Sequence, residues 1–296
     1  MGLENIKGNT FLYKGSPATL FYKDEENNVY IIDPGQGSKR PKELKSMLNK
    51  LNPKKSIAFI THYHSDHIAV LGEGFSVNEI VVSEIDAPAV RDPSLRALLT
   101  FGYMLNHEDN ILPFKAKAIN PTKLIGKDQN TYGPLQLIPL PGHTQGQLGV
   151  ITPDGVLYAA DSLFGDKVLT KYGIPYHQYP CKSVESLNLI LNMLSKVDII
   201  VPSHGPIVNS SEASQLIESN IKKITEIEEE IKKLLVEPMC LSSITQKLTS
   251  IYKSEEPSIG AYLLAENTIR GYISCLRQQG LIEAINDNNI KWKITK

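Results

Sequence analysis

The sequence predicts an α+β protein, with an αββα sandwich over residues 1–211 and a helical linker with a small winged-helix domain over residues 212–296. Three observations predict it. Short β-prone runs alternate with helical segments through the first two thirds of the chain. Histidines and aspartates collect where those runs end. From Glu212 onward the apolar residues recur every three or four positions, the period of a helix with one buried stripe. A chain of 296 residues suits one large domain plus a small one.

Thr10–Lys14, Ala18–Lys23 and Asn28–Asp33 read as strands, with Asp24–Asn28 as a hairpin turn and Asp33-Pro34-Gly35 as a stop. Pro41–Leu51 is helical through Leu44, Met47, Leu48 and Leu51. Ser56–Thr61 is a strand that delivers the stretch His62-Tyr63-His64-Ser65-Asp66-His67. Glu79–Ser83 is another strand, and Ala87–Leu112 turns irregular and helical, as an inserted lid or substrate region would. Strands return at Leu135–Leu140, Gln147–Thr152 and Val156–Ala160, followed by a helix over Val184–Leu194 and a buried strand over Val197–Val201. Paired strands with helices between them give two sheets face to face with helices outside.

In the C-terminal part, Ile217, Ile221, Ile224, Ile227, Ile231 and Leu234 line one helical face, which Pro238 ends. Leu241–Tyr252 and Asn267–Gln279 are two more helices, the second capped by Asn267 and closed by Gly280. Leu281–Ile285 and Ile290–Thr295 form a hairpin. Three helices followed by a hairpin is the order of a winged helix-turn-helix.

Composition narrows the function classes. The net charge of −1 exerts no global pull on nucleic acid or anionic membrane. No apolar stretch is long enough to span a bilayer, and the N-terminus lacks the features of a signal peptide. The cysteines Cys181, Cys240 and Cys275 are odd in number and far apart, so no disulfide framework is expected and the expected compartment is a reducing cytoplasm.

By itself, the stretch from His62 to His67 reads either as a metal site or as a polar loop rich in histidine. His62 and His64 alternate, so at a strand end they point the same way, and imidazole nitrogen and carboxylate oxygen suit zinc and related cations. His143, in Pro141-Gly142-His143-Thr144, Asp161, after Val156–Ala160, and His204, in Ser203-His204-Gly205-Pro206, also follow strands. In a sandwich they converge on one edge, which favours the metal reading.

These motifs, in this order, resemble those of the metallo-β-lactamase superfamily, over roughly residues 10–210. The resemblance implies a dinuclear site. His62, His64 and His143 hold one divalent ion, Asp66, His67 and His204 hold a second, and Asp161 bridges them. Asp33 supports the site without binding metal. It implies a hydrolase in which a metal-bound hydroxide attacks the substrate, with Asp66 as the catalytic group that orients the nucleophile and carries a proton. Zinc is the expected metal, although manganese and iron accept the same ligands. Lactamases of this fold commonly carry cysteine where this chain has Asp161, so antibiotic hydrolysis is not the expected role. The ligand set is similar to those of glyoxalase II-like thioesterases and of the lactamase-β-like endoribonucleases, and a mononuclear iron site like that of persulfide dioxygenases is a minor alternative.

The remaining candidates have plainer readings beside the functional ones. Tyr172, Tyr176 and His177 could line the substrate cleft or simply pack a loop. Lys167 and Lys171 could meet an anionic group or stay solvated, and His107 reads as a surface residue. Charges beyond Glu212 are balanced, whereas a nucleic-acid footprint usually shows a basic surplus. The winged helix is therefore expected to brace the catalytic domain, shape its cleft or make a homodimer contact. The expected substrate is a small ester, thioester or lactone. The alternative is single-stranded RNA or DNA guided by the winged helix. A non-enzymatic regulatory protein is the third reading, and the complete ligand set argues against it.

Overall fold

A computed structural model describes residues 2–103, 116–287 and 289–295. His107 and the end of the expected lid segment, to Leu112, lie outside these residues. The first sheet has the order β1 (Glu4–Lys7), β2 (Thr10–Tyr13), β3 (Thr19–Lys23), β4 (Asn28–Ile32), β5 (Lys55–Phe59), β6 (Glu79–Ser83), β7 (Lys123–Ile125). Its first four strands are antiparallel neighbours, and β4 to β7 run parallel. The second sheet has the order β13 (Val208–Asn209), β12 (Ile199–His204), β11 (Val156–Phe164), β10 (Leu148–Ile151), β9 (Leu135–Pro139), β8 (Thr131–Tyr132).

Side-chain alternation builds the layers. Leu20, Tyr22, Tyr30 and Ile32 point inward and meet Leu135, Leu137, Val150 and Tyr158 of the second sheet. Phe21, Val29 and Ile31 point outward and pack on Leu44 and Met47 of α1 (Arg40–Leu51). On the far side, Leu157 and Ala159 pack on Leu187 and Ile190 of α6 (Pro180–Met193) and on Ile217 and Ile224 of α7 (Ser210–Leu234). Two sheets with helices on both outer faces follow from this period-two pattern.

The core does not break at the expected boundary after residue 211. One apolar cluster runs from Leu157 through Ile224 to Ile244 of α8 (Leu241–Ile251), to Ile269, Tyr272 and Leu276 of α9 (Ile259–Gln278), and to Ile282 of the hairpin β14 (Ile282–Asp287) and β15 (Asn289–Ile294). Asn209 caps α7 with a reciprocal bond to Glu212. Among the described residues no helix is long and apolar enough to cross a membrane.

Three expectations need correction. The last helix starts at Ile259, capped by the Ser258 hydroxyl, so Asn267 is a mid-helix residue and not a cap. Its amide instead donates to the carbonyls of Leu99 and Thr100 in α4 (Pro93–Phe101), a tertiary use that local pattern does not reveal. Asp161 lies inside β11 and not after it. Cys181 and Cys275 form a disulfide across 94 residues, because the start of α6 and the middle of α9 are juxtaposed by the fold. Cys240 is free.

Asn220 is the polar rivet of this side. Its side chain accepts from Phe164 N–H at 3.0 Å and donates to Phe164 C=O at 2.8 Å, tying α7 to the end of β11. Asn220→Ala leaves both buried groups unpaired and should lower the unfolding free energy by about 1–3 kcal/mol in a denaturant titration. A change under about 0.5 kcal/mol, the scale of an ordinary surface substitution, would show that water replaces the amide.

Candidate metal centre

The site forms where β4, β5 and β12 end, beside the interior of β11. Asp33, just past β4, is fully buried. It accepts from Thr61 N–H at 2.8 Å and from the Thr61 hydroxyl at 2.6 Å. Gly35, with φ +88°, completes the turn. A Cβ there would lie 2.4 Å from the guanidinium carbon of Arg40, which donates to the Pro34 and Pro17 carbonyls. Thr61 continues into His62, and His64 opens the one-turn helix α2 (Ser65–Ile68), which carries Asp66 and His67. Gly142 precedes His143 with φ +137°, and a Cβ there would sit 2.3 Å from Ser183 Oγ, so only glycine lets this loop lie on α6. In β11, Ala160 takes φ +50° where the register with β12 slips, and Asp161 follows it directly. Strain in a non-glycine residue at such a point is a common feature of functional sites.

Hydrogen bonds at the back of the rings decide which nitrogens face inward. The Thr61 hydroxyl donates to Asp33, so its oxygen accepts from His62 Nδ1–H, 3.0 Å away. His143 Nδ1 lies 3.0 Å from the Tyr176 carbonyl, which can only accept. His67 Nδ1 lies 2.7 Å from Asp33 Oδ2. In their neutral forms His62, His143 and His67 therefore present bare Nε2 atoms, in the arrangement that carboxylates and carbonyls impose on metal-binding histidines.

Those bare nitrogens converge. His64 Nδ1 lies 3.1 Å from His62 Nε2 and 2.8 Å from His143 Nε2, and it has at most one proton to share between two lone pairs. His143 Nε2 is 3.2 Å from Asp161 Oδ2. On the other side of Asp161, His67 Nε2 is buried without a hydrogen-bond partner, 3.4 Å from Asp161 Oδ1. His204 Nε2 lies 3.2 Å from Asp66 Oδ2 and 3.6 Å from Asp161 Oδ2, and its Nδ1 is 2.7 Å from Ser16 Oγ. Ser203 donates its hydroxyl to Asp161.

Within each of three groups the donor atoms lie within 4.8 Å of one another: His62, His64, His143 and Asp161; Asp66, His67 and His204; and Asp33, His62 and His67. The third group is the weakest, because the Asp33 oxygens already accept from Thr61 and His67. Lone pairs aimed at one another and at carboxylates repel unless a cation lies among them, so the donor set fits a divalent metal site.

Electrostatics agree. Burial, reinforced by neighbouring imidazoles, holds His62 and His64 well below the ordinary imidazole pKa, and burial lowers His143 too. Neutral rings can ligate. For His67 burial opposes charge, yet Asp161, Asp66 and Asp33 raise its pKa well above the ordinary value. Burial likewise opposes charge on His204, and Asp161 leads the interactions that raise it. Asp66 is pulled down to about 2, against burial, by His67 and His204. The carboxylates thus hold positive charge at this spot, whether a proton or a metal carries it.

Tyr172 and Tyr176 line the cavity above these groups, but His177 does not. It is 1% exposed, its Nδ1 lies 2.9 Å from Ser183 Oγ, and its ring packs near His143 and Phe164. The segment is pinned from behind, where Thr268 of α9 accepts from His177 N–H, so the cleft assignment of His177 is corrected to a packing role. Lys167 and Lys171 also reach the cavity, and Lys171 is paired with Glu256 at 2.9 Å.

Sequence reasoning missed Asp86. This buried carboxylate follows β6 and accepts from Tyr63 N–H at 3.2 Å, Thr144 Oγ1 at 2.8 Å and Gly146 N–H at 2.9 Å. It joins the loop of His62 and His64 to the loop of His143. Its one sequence signal is an acid just past a strand, which Glu84 shares. Burial raises its pKa to about 6, against the bonds from Thr144, Gly146 and Tyr63. The fold therefore binds this proton more tightly than the unfolded chain does. That contribution to stability is complete below the unfolded value near 3.8 and is lost as pH rises through about 6. The melting temperature of the wild type minus that of Asp86→Asn should fall as pH goes from 4 to 7, by the equivalent of about 2 kcal/mol. A pH-independent difference would remove the titration of Asp86 from the account.

Comparison with known proteins agrees with this geometry. A family model described as the metallo-beta-lactamase superfamily matches residues 14–204. The uncharacterized protein YobT of Bacillus subtilis (strain 168) is 30% identical over 166 residues, 52% of this chain, and the match spans 65% of that relative's length. A metallo-beta-lactamase family protein from Thermus thermophilus superposes with a TM-score of 0.67 at 17% identity, over 99% of this chain and 96% of that one. A beta-lactamase domain protein from Burkholderia ambifaria does so with a TM-score of 0.67 at 13% identity, over 99% and 93%. These two likenesses concern the fold and include the C-terminal helices. With its fold, its His and Asp cluster and a family match over most of its length, the chain belongs to the metallo-beta-lactamase superfamily.

Proposed function

We propose that this protein hydrolyses a small carboxylic ester, thioester or lactone at a site for two divalent cations. In this reading His62, His64 and His143 hold one cation, Asp66, His67 and His204 the other, and Asp161 lies between them. Bound there, the cations would supply Lewis acidity and lower the pKa of a water toward neutrality. The chain's own residues do the rest. Asp33 fixes His67 through Nδ1 and His62 through Thr61. Ser203 orients Asp161. Asp66 Oδ2, beside His204 and open to the cavity, accepts the proton of the attacking water and returns it to the leaving group.

The observation that carries the small-molecule reading is the shape of the cavity. His64, Asp66, His143, Asp161 and His204 form its floor, its volume is about 730 Å³, and the start of α9 lines one side of it. That size suits a small ligand. A basic groove leading away from the floor would favour RNA or DNA, but of the two lysines here Lys171 is already paired with Glu256.

We read α8, α9 and the β14–β15 hairpin as a winged helix that braces the catalytic part. The helix that would enter a nucleic-acid groove is engaged elsewhere. Thr268 bonds His177, Cys275 is linked to Cys181, and Gln278 bonds the Tyr179 hydroxyl. Arg270 pairs with Glu266, and Arg277 lies over the Trp292 ring.

The test is metal-loaded protein offered a panel of esters, thioesters and lactones in one arm and labelled single-stranded RNA in the other. Turnover in the first arm only, with metal and activity both lost in Asp161→Ala, is the expected result. Asp33→Asn should retain the fold and lose about 10–100-fold in metal affinity or activity, as expected for a group that orients ligands. Cleavage of RNA alone would reverse the substrate assignment, and full metal content in Asp161→Ala would overturn the ligand assignment.

A further inference from the structure

The cavity has two unlike halves. Its floor is polar, formed by the His and Asp cluster, and its upper wall is apolar. From the catalytic part come Phe164 and Ile174, 4% and 3% exposed, and Val168 on α5 (Asp166–Tyr172). From α9 come Ile259, Ala261 and Leu264. Ala261 and Leu264 are three apart on one helix, so they lie on the same face.

Ile259 is 54% exposed and Tyr172 41%, and both line this cavity, so part of its apolar lining faces water. Apolar surface held open beside a charged floor is stabilised when a ligand removes it from water. The wall is held in place. Asn267 ties α9 to Leu99 and Thr100, and a Cβ on Gly271 would lie 2.5 Å from the Gln178 carbonyl, so the helix lies directly on the segment that carries Tyr176. At the rim Lys171 is paired with Glu256, and Lys167 adds one further positive charge to the cavity.

We propose that this wall is an acyl-chain subsite. The substrate carries an uncharged, flexible alkyl acyl group that lies along Phe164, Ile174, Ala261 and Leu264 with its carbonyl at the His and Asp floor, and Ala261 and Leu264 set its length. The inference rests on the hydrolytic reading above and deepens it. Val168, Ile174, Ala261 and Leu264 give the wall a run of aliphatic surface, and the rings of Phe164, Tyr172 and Tyr176 line the same cavity; a flexible alkyl chain packs on both kinds of surface without asking for a hydrogen-bond partner.

The test combines binding and turnover on the full-length, metal-loaded protein. Calorimetric titration with butanoate, hexanoate and octanoate reads the subsite without requiring catalysis. Each methylene buried should tighten binding about fourfold, so each step of two carbons about fifteenfold, with a negative heat-capacity change. The same chain-length series as p-nitrophenyl esters should show a parallel rise in kcat/KM. Ala261→Phe, which fills the half-buried wall, and Leu264→Gln, which makes it polar, should each cut the octanoate-to-butanoate ratio at least tenfold; circular dichroism reports whether the fold is retained. Equal affinity for the three acids, or an unchanged ratio in both folded variants, would overturn the subsite. Graded binding of the acids with no turnover of any ester, thioester or lactone of the panel would uphold the subsite and instead remove the hydrolytic reading.

Discussion

Imidazole nitrogens that turn their lone pairs toward one another repel, and a protein holds them so only when something fixes each ring from behind. Here the fixing is done by hydrogen bonds that a neutral ring can make in one sense alone. A carbonyl accepts from His143, Asp33 accepts from His67, and the Thr61 hydroxyl, its proton committed to Asp33, accepts from His62. The arrangement of the strands around the site follows from this constraint. Asp33 must be buried at the end of β4 so that it reaches both Thr61 and His67. Asp161 must face two groups of nitrogens at once, and the left-handed backbone of Ala160 immediately before it re-aims the strand there.

Around this centre lie buried charged groups that form no ion pair among the described residues. Arg96 is 1% exposed and donates to the carbonyls of Ala89, Val90 and Ala116 and to the Ser65 hydroxyl, next to Asp66. Burial lowers its pKa to about 10, which still leaves it charged near pH 7. Arg40 does the same for the turn after Asp33, and Asp86 for the loops of His64 and His143. Backbone groups and one side-chain hydroxyl apiece satisfy these charges, so each spans two or more loops at once. A buried charge satisfied in this way costs desolvation energy but leaves little freedom to the segments it joins.

The C-terminal helices belong to the same mechanical unit. Helix α9 touches the chain from residue 176 to 181, and Tyr176 within that chain supplies the carbonyl that orients His143. A contact made at Thr268, far beyond His143 along the chain, thus bears on a ring at the centre of the site. The first turns of the same helix wall the cavity. Shape and ligand orientation are therefore decided together by one packing interface. This is the physical reason for reading the C-terminal helices as part of the same structural unit as the site.

The chemistry and the layers were legible in the sequence because both rest on short-range regularities. The alternation of Leu20, Phe21 and Tyr22 assigns faces of a sheet, and the spacing of Ile217, Ile224 and Ile231 assigns a helical stripe. His62, His64, Asp66 and His67 lie within six residues of chain, and with His143, Asp161 and His204 after later strands their type and spacing favour a metal site. Contacts between distant segments left no such mark. Asp86 resembles any acid after a strand until Tyr63, Thr144 and Gly146 close on it. Asn267 resembles a cap until α4 presents its carbonyls, and Cys181 resembles a bystander until α9 brings Cys275 beside it. Sequence by itself determined the residue types, their periodicity and the order of the candidate ligands, because those depend on neighbours along the chain. Tertiary structure alone decided which nitrogens are bare, what walls the cavity and which buried charges hold the loops, because each of these depends on partners that only folding brings within hydrogen-bond reach.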